Sequence, residues 1–397
     1  MSPKIPITKP SLDEKEVDAV RQTLLSGWVT QGPQVAAFEK EFADYSGAPF
    51  AAAVSSCTTA LHLALIVAGV KTGDEVITVS HSYIATANAI RYCGAIPVFA
   101  DIDPQTYNID VSQIKRLITS KTKAILCVHQ IGMPCDLAQI VPLAKTHRLK
   151  LIEDAACAIG SEILWSGQWQ KIGKPHGDIA CFSFHPRKII TTGDGGMITT
   201  AVKKWDQQIR LLRQHGMSIP DTVRHGSNQI VFEEHVALGF NYRMTDIQAA
   251  VGRQQLKKLD DILVRRRFLA DRYHKQLSKI PGMTVQHEPA WAKSNWQSYS
   301  VRLPQTCDQK QIMQFLLDKN VSTRRGIMCS HREEAYRSEP WSCGNPSCDH
   351  HAGTCKKLKQ SEEAQDRSIL LPLYPQMTEA EQDQVCEALT EACMVKQ

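Results

Sequence analysis

Short apolar runs alternate with helical stretches between residues 50 and 200. Seven apolar runs bounded by turn residues predict strands, at 51–54, 75–79, 97–100, 124–128, 149–153, 179–184 and 196–200. The intervening patterns predict helices, at 59–68, 84–93, 111–118, 137–146 and 203–214. Because parallel strands need crossovers of this length, the pattern predicts an α/β fold whose mostly parallel, seven-stranded sheet is flanked by helices.

A second, smaller α/β region is predicted towards the C-terminus. A continuous helical pattern over 246–277 leads into it, and the later pattern predicts elements at 298–303 (strand), 309–317 (helix), 321–324 (strand) and 379–393 (helix). We place the domain boundary near residue 255, which gives a large domain over 1–255 and a small C-terminal domain over 256–397. We expect the extreme N-terminus to pack near the small domain.

Composition narrows the classes of function and location. The chain has 397 residues and a formal net charge of +5, and its basic residues are dispersed, which argues against nucleic acid as a partner. No apolar run reaches the ~18 residues that a membrane span requires. The polar segment Met1–Lys9 does not resemble a signal peptide, and the 13 cysteines sit mostly singly in apolar stretches. We therefore expect reduced thiols and a cytoplasmic location.

Lys188 is the first candidate for chemistry. It follows the predicted strand that ends at Phe184 and precedes the glycine-rich stretch 191–196. Open α/β sheets place their sites at such strand ends. Taken alone, however, a lysine beside glycines is more often an exposed loop residue.

Asp154 lies at the end of another apolar run. A carboxylate there is costly unless it meets a positive partner. A pyridinium nitrogen is one such partner, and the ion pair would keep the ring protonated as an electron sink. The alternative is that Asp154 caps a following helix.

Two further groups follow predicted strands. The small hydroxyl residues around Thr58 and Thr59 open a helix, where backbone N–H groups can cradle a phosphate, although an ordinary helix cap is the commoner use. Tyr83 opens the next helix, where its ring could stack on a flat cofactor or pack in the core.

Together these residues resemble the DegT/DnrJ/StrS sugar aminotransferases, which have the fold-type-I architecture of pyridoxal-phosphate (PLP) enzymes. The resemblance runs nearly end to end, in family order. The matching segments include 26–33, 58–65, 73–76, 95–99, 153–156, 183–196, 239–244, 248–250 and 371–374.

The resemblance implies PLP as the cofactor and a role for each matched residue. Lys188 is implied to be the catalytic lysine that binds PLP as a Schiff base, and Asp154 the partner of the pyridine nitrogen. Tyr83 is implied to lie against the ring. The remaining implied cofactor contacts are to the phosphate, from Thr58, Thr59 and Ser183 and, towards the neighbouring subunit's cofactor, from Asn241. A homodimer with shared active sites follows.

The resemblance also implies the substrates. An amino group would pass from an amino acid, L-glutamate, to a nucleotide-linked keto-deoxysugar, for surface polysaccharide or antibiotic assembly. Three arginines, Arg243, Arg324 and Arg325, are candidates for a diphosphate contact because guanidinium groups pair with phosphate oxygens, with surface ion pairs as the alternative. His331 falls near the family's substrate-side loop. The alternatives are a PLP-dependent sugar dehydratase and a non-catalytic regulatory protein of the same fold.

Two features depart from the family pattern. Cys157 stands where the family usually has a glutamine that hydrogen-bonds the cofactor's ring oxygen, so a weaker donor is expected beside the cofactor, unless Cys157 is simple packing. The insertion containing Cys343, Cys348, His350, His351 and Cys355 could bind zinc, but its spacing matches no standard finger, and an exposed loop is the alternative. We expect no metal in the chemistry.

Overall fold

The computed structural model describes residues 4–219, 229–230, 232–349 and 352–394. The first half of the chain contains, in order, α1 (Glu14–Ser26), α2 (Pro33–Ser46), β1 (Phe50–Val54), α3 (Cys57–Val67), β2 (Glu75–Val79), α4 (Ala85–Tyr92), β3 (Ile96–Ala100), α5 (Val111–Leu117), β4 (Thr122–Val128), α6 (Leu137–Thr146), β5 (Lys150–Asp154), β6 (Glu162–Trp165), β7 (Gln168–Lys171), β8 (Ile179–Ser183), β9 (Gly196–Thr200) and α7 (Lys203–Leu212).

The second half is built from shorter strands and longer helices. It contains α8 (Asp246–Lys257), α9 (Leu259–Leu277), β10 (Thr284–Val285), β11 (Ala292–Lys293), β12 (Tyr299–Arg302), α10 (Gln309–Asp318), β13 (Arg324–Arg325), α11 (Ala335–Ser338), α12 (Lys359–Arg367), β14 (Ser368–Leu371) and α13 (Glu379–Met394).

The main sheet has seven strands in the order β1-β9-β8-β5-β4-β2-β3. Neighbours pair in parallel except at β9, which is antiparallel to both β1 and β8. All seven predicted strands are present, and the α/β prediction with a mostly parallel sheet is confirmed. The parallel strands β2, β5 and β8 end at one edge of the sheet, which brings the segments that follow them together.

A second, four-stranded sheet has the order β10-β12-β14-β13 and is antiparallel throughout. Its core includes Tyr273, Tyr299 and Leu371, and Ile5 joins it by pairing with Val321. Helix α9 contributes to both cores, because Leu259 and Leu263 pack with the large sheet whereas Leu269 and Tyr273 pack with the small one. A domain boundary near residue 255 stays a prediction.

The structure corrects one predicted element and adds others. The pattern over 246–277 is two helices, α8 and α9, that meet at Lys258. Its ammonium group binds Asp13 and Glu16 at the start of α1. The pattern did not predict the small sheet of β11, β6 and β7, because its strands are short and alternate too weakly, nor did it predict α12 and β14.

An ion-pair network holds the edge strand that leads to α3. Glu39 of α2 is buried and accepts hydrogen bonds from the backbone N–H of Ala53 at 2.9 Å and from Arg210 and Arg213 of α7, at 2.6 and 2.5 Å. Arg213 also donates to the carbonyl of Ala53 at 2.6 Å. Strand β1 is thereby fixed between two helices, which sets the position where α3 begins.

Candidate active site

Lys188 lies in the turn after β8 and is only partly exposed. Its backbone N–H donates to the carbonyl of His185 at 2.8 Å, and the next two residues, Ile189 and Ile190, are buried. The side chain therefore points back along the sheet edge, where Nζ donates to Cys157 Sγ at 3.0 Å. Lys188 is not the exposed loop lysine that its glycine-rich context alone would favour.

Burial and the neighbouring groups shift the pKa of Lys188 in opposite directions. Burial acts to lower the pKa of Lys188, but the neighbouring Cys157, Cys57 and Asp154 outweigh it, so that the pKa lies above the ordinary lysine value. Cys157 is the first of these influences, and it also accepts the hydrogen bond from Nζ. Without a cofactor, Lys188 is therefore held as the ammonium ion.

Asp154 is the last residue of β5, and it is buried, with 5% of its surface exposed. One carboxylate oxygen accepts the Thr86 hydroxyl at 2.7 Å and the other accepts the N–H of Ala156 at 3.1 Å. Burial raises the pKa of Asp154, although both hydrogen bonds and the charge of Lys188 act to lower it. No cation in the described ranges forms a salt bridge with this carboxylate. The residues after Asp154 form turns rather than a helix, so the helix-cap alternative does not hold.

The preceding residue, Glu153, lies on the opposite face of β5. Its carboxylate binds His129 Nε2 at 3.0 Å, and both side chains are fully buried. Because side chains alternate between the two faces of a strand, Glu153 meets His129 on one face of β5, whereas Asp154 points to the other face, towards Lys188.

The N-terminus of α3 lies beside the end of β8. Ser56 caps the helix by accepting the N–H of Thr59 at 3.2 Å, and the Thr59 hydroxyl accepts the N–H of Ser56 at 3.1 Å. Thr59 is therefore engaged in the cap, whereas the hydroxyl of the partly exposed Thr58 has no hydrogen-bond partner within the described part of the chain.

A close contact between β9 and the start of α3 brings Ser183 near this helix end. Ser183 pairs with Gly196 of β9, and a Cβ on Gly196 would lie 2.6 Å from the carbonyl carbon of Ser56. Only glycine allows β9 to approach the cap so closely. The Ser183 hydroxyl, the Thr58 hydroxyl and the first N–H groups of α3 thus share a region that favours an anion.

Tyr83 and Asn241 lie at the surface of this edge. The Tyr83 side chain is 65% exposed, which excludes the core alternative and leaves a flat face open to a ligand. Asn241 is exposed, and its Oδ1 accepts Arg243 Nε at 3.4 Å. The N–H of Ser55 donates to the carbonyl of Tyr242 at 2.8 Å, so this segment is fixed next to the start of α3.

The remaining predicted substrate residues differ in accessibility. Arg325 is exposed and lies 3.6 Å from the carboxylate of Glu333. His331 is fully buried, with Nδ1 bonded to Ser80 Oγ at 2.7 Å and Nε2 to Glu362 Oε1 at 3.0 Å. Both ring nitrogens of His331 are therefore occupied, which is the geometry of a positioning residue, and substrate contact by His331 stays a prediction.

The sequence interpretation missed three residues that hold the site together. Thr86 binds Asp154, as described above. Asn295 donates to the carbonyls of Cys157 and Ile159 at 2.7 and 2.8 Å, and Gln297 donates to the carbonyl of Arg187 at 2.7 Å. Thr86 lies one helical turn after Ser82 and could have been found by its position, whereas the segment 294–297 shows no periodicity that marks it.

The chemistry of these groups fits PLP. A cationic ring nitrogen would partner the buried Asp154, an amine for a covalent bond stands at Lys188, and hydroxyl and N–H donors for a phosphate stand at the start of α3. The spacing between them follows from the strand order, since β5 and β8 are adjacent and the end of β8 lies next to α3 through β9.

Comparison with known proteins also indicates a PLP-dependent aminotransferase. The family model of the DegT/DnrJ/EryC1/StrS aminotransferases matches residues 10–390. A GDP-perosamine synthase of Caulobacter vibrioides is 38% identical over 391 residues, which cover 98% of each chain. The spore coat polysaccharide biosynthesis protein SpsC of Bacillus subtilis is 36% identical and covers 97% of this chain and 96% of its own.

A solved structure shows the same fold over the whole chain. It is a proposed sugar aminotransferase of Streptococcus pneumoniae in its PLP-form, with a TM-score of 0.87 and 26% identity, covering 99% of this chain and 100% of that one. None of the described helices is both long and apolar enough to span a bilayer. The chain belongs to the DegT/DnrJ/EryC1/StrS aminotransferase family, the PLP-dependent sugar aminotransferases.

Proposed function

We propose that this aminotransferase moves the amino group of L-glutamate to a nucleotide-linked keto-deoxysugar, and that the amino sugar serves surface polysaccharide or antibiotic assembly. The observation that carries the proposal is the meeting of Lys188, a buried Asp154 without a salt-bridge partner in the described ranges, and an anion-binding helix start at one sheet edge. The names of the relatives support the substrate class, since one makes GDP-perosamine and another serves a spore coat polysaccharide.

Each residue has a task that its geometry supports. When bound, PLP supplies an electron sink for the carbon that loses its proton. Lys188 Nζ holds the cofactor and, once free, moves a proton to and from the substrate carbon that bears the nitrogen. Asp154 would hold a negative charge beside the ring nitrogen, and Thr86 fixes the orientation of its carboxylate. Tyr83 would cover one face of the ring and exclude water from it.

Arg187 and Arg324 form a candidate binding site for the acidic group of a substrate. Burial lowers the pKa of Arg324, and the positive charge of Arg187 acts in the same direction. Neither forms a salt bridge within the described ranges. Arg243 and Arg325 add further guanidinium groups for a diphosphate, which bind phosphate oxygens in pairs. His331 would act by bracing the segment that carries these contacts.

A homodimer with shared active sites is supported by exposed apolar side chains. Ile230, Phe232 and Leu238 are 88, 85 and 92% exposed, and they lie in the segment that leads to Asn241. Large apolar side chains that are exposed within one short segment favour burial against a partner. A second copy that covered them would bring Asn241 towards the neighbouring cofactor phosphate. A cytoplasmic location stays a prediction.

The first prediction concerns the replacement Lys188→Ala. Wild-type protein is expected to show the visible absorption band of the bound cofactor, and L-glutamate is expected to abolish that band. The variant should lack the band and lose amino transfer by ~10⁴-fold, because both the covalent anchor and the proton carrier are gone. Lys204→Ala, at an exposed position, is the control. A wild-type band that ignores L-glutamate would contradict the proposed donor.

The second prediction concerns the pH at which Lys188 captures PLP. The reaction needs the neutral amine, and Cys157 raises the pKa of Lys188. Cys157→Ala should therefore lower that pKa, and the pH of half-maximal cofactor incorporation into the apoenzyme should fall. The measurement is the incorporation rate against pH, with Cys93→Ala as the control. An unchanged or higher midpoint would show that Cys157 does not set the charge of Lys188.

The third prediction tests the shared site by mixing two impaired variants. In a hybrid of Lys188→Ala and Asn241→Ala subunits, one site regains both an intact Lys188 and an intact Asn241. Random re-association should therefore restore about a quarter of wild-type activity, because half of the dimers are hybrids with one complete site. Activity no higher than the mean of the two variants would place Asn241 outside the neighbouring site.

A further inference from the structure

Three cysteines converge in the segment between β13 and α12. Cys343, Cys348 and Cys355 have sulfur atoms that all lie within 4.8 Å of one another, and the Sγ atoms of Cys348 and Cys355 are 3.3 Å apart. None of the three forms a disulfide bond. Three thiolates at ~2.3 Å from one tetrahedral zinc ion would stand ~3.8 Å apart. The sulfur–sulfur distances in this cluster are similar.

The cluster is set into the protein rather than spread over its surface. Cys343 and Cys355 are each 3% exposed, and Cys348 is partly exposed. They belong to a small core with Phe99, Trp341 and Leu358 that is separate from the two main cores. Small apolar packing would explain buried cysteines one at a time, but it does not require three sulfur atoms to meet at one point.

The chain around the cluster is anchored at both ends, and its described residues between them, 343–349 and 352–358, form neither a helix nor a strand. The N–H of Ser342 donates to the carbonyl of Pro97 at 3.0 Å, and the N–H of Phe99 donates to the carbonyl of Ser342 at 2.7 Å, which fixes the first end on β3. Asp101 accepts the N–H groups of Gln360 and Ser361, both at 2.8 Å, which fixes the second end. A connection of this length needs a further constraint to hold one conformation.

We propose that Cys343, Cys348 and Cys355 bind one structural zinc ion. Thiolate sulfur selects zinc over the harder divalent cations, and a disulfide is disfavoured in a reducing compartment. Binding releases the three thiol protons to solvent, and a nitrogen or oxygen ligand completes the tetrahedron. His350 and His351 lie outside the described residues, and the site rests on the three sulfur atoms.

The position of the site indicates a structural task. It lies beside β3, which stands four strand spacings from β8 and therefore ~19 Å from the strand that leads to Lys188. Glu362 connects the cluster to His331, since its carboxylate accepts the N–H of Cys355 and binds His331 Nε2 at 3.0 Å. The zinc ion would hold in place the segment that His331 anchors to Ser80, next to the carboxyl end of β2.

The test is the metal content of full-length protein purified without added metal and with its thiols reduced. We expect about one zinc ion per chain, with about three sulfur neighbours at ~2.3 Å by X-ray absorption at the zinc edge. Cys343→Ser and Cys355→Ser should each lose more than about nine-tenths of the zinc. The control Cys307→Ser, a partly exposed cysteine outside the cluster, should keep it.

Measurements on the wild-type chain decide the question even if the variants fold poorly. A strong chelator should lower the melting temperature, and zinc sulfate should restore it. The proposal is overturned if reduced wild-type protein takes up no zinc from zinc sulfate, if Cys348 and Cys355 are found joined in a disulfide, or if Cys343→Ser retains its metal. None of these readouts depends on amino transfer, so the zinc site and the proposed function can fail separately.

Discussion

The buried carboxylate of Asp154 is the constraint on which the active site depends. Burial raises its pKa, so the folded chain binds the carboxyl proton more tightly than the unfolded chain does. The ionised form therefore costs stability as the pH rises above the ordinary carboxyl range. Thr86, Ala156 and Lys188 reduce this cost without removing it, and a cationic ring nitrogen would supply the missing partner. Binding of the cofactor would relieve this stability cost, and the free energy recovered would contribute to cofactor affinity.

The position of Lys188 depends on contacts made by a distant part of the chain. Asn295 and Gln297, which lie between β11 and β12 in the sequence, bind the backbone carbonyls of the turns that carry Cys157 and Lys188. Asn295 is fully buried, so its side-chain amide is shielded from water. The second half of the chain therefore takes part in holding the catalytic geometry, and it does so through side chains that touch no reacting atom.

Sequence patterns predicted the large sheet because its strands are buried on both faces and read as separate apolar runs. The same logic placed Asp154 and Ser183 at strand ends, where parallel topology brings them together. It did not find Asn295, whose role depends on a contact between segments far apart in sequence. Nor did it foresee that His331 is fully buried, because burial of a single histidine is decided by tertiary packing. The cofactor was inferred from the resemblance of ordered segments to a known family, because periodicity alone does not identify a cofactor.

The central claim is that Lys188, and no other lysine, carries the cofactor. The most direct measurement is to reduce the PLP-bound protein with borohydride, digest it and locate the modified lysine by mass spectrometry. Our account predicts the added mass on the peptide that contains Lys188, at about one per chain. A modification on another lysine, or none in protein saturated with PLP, would contradict it.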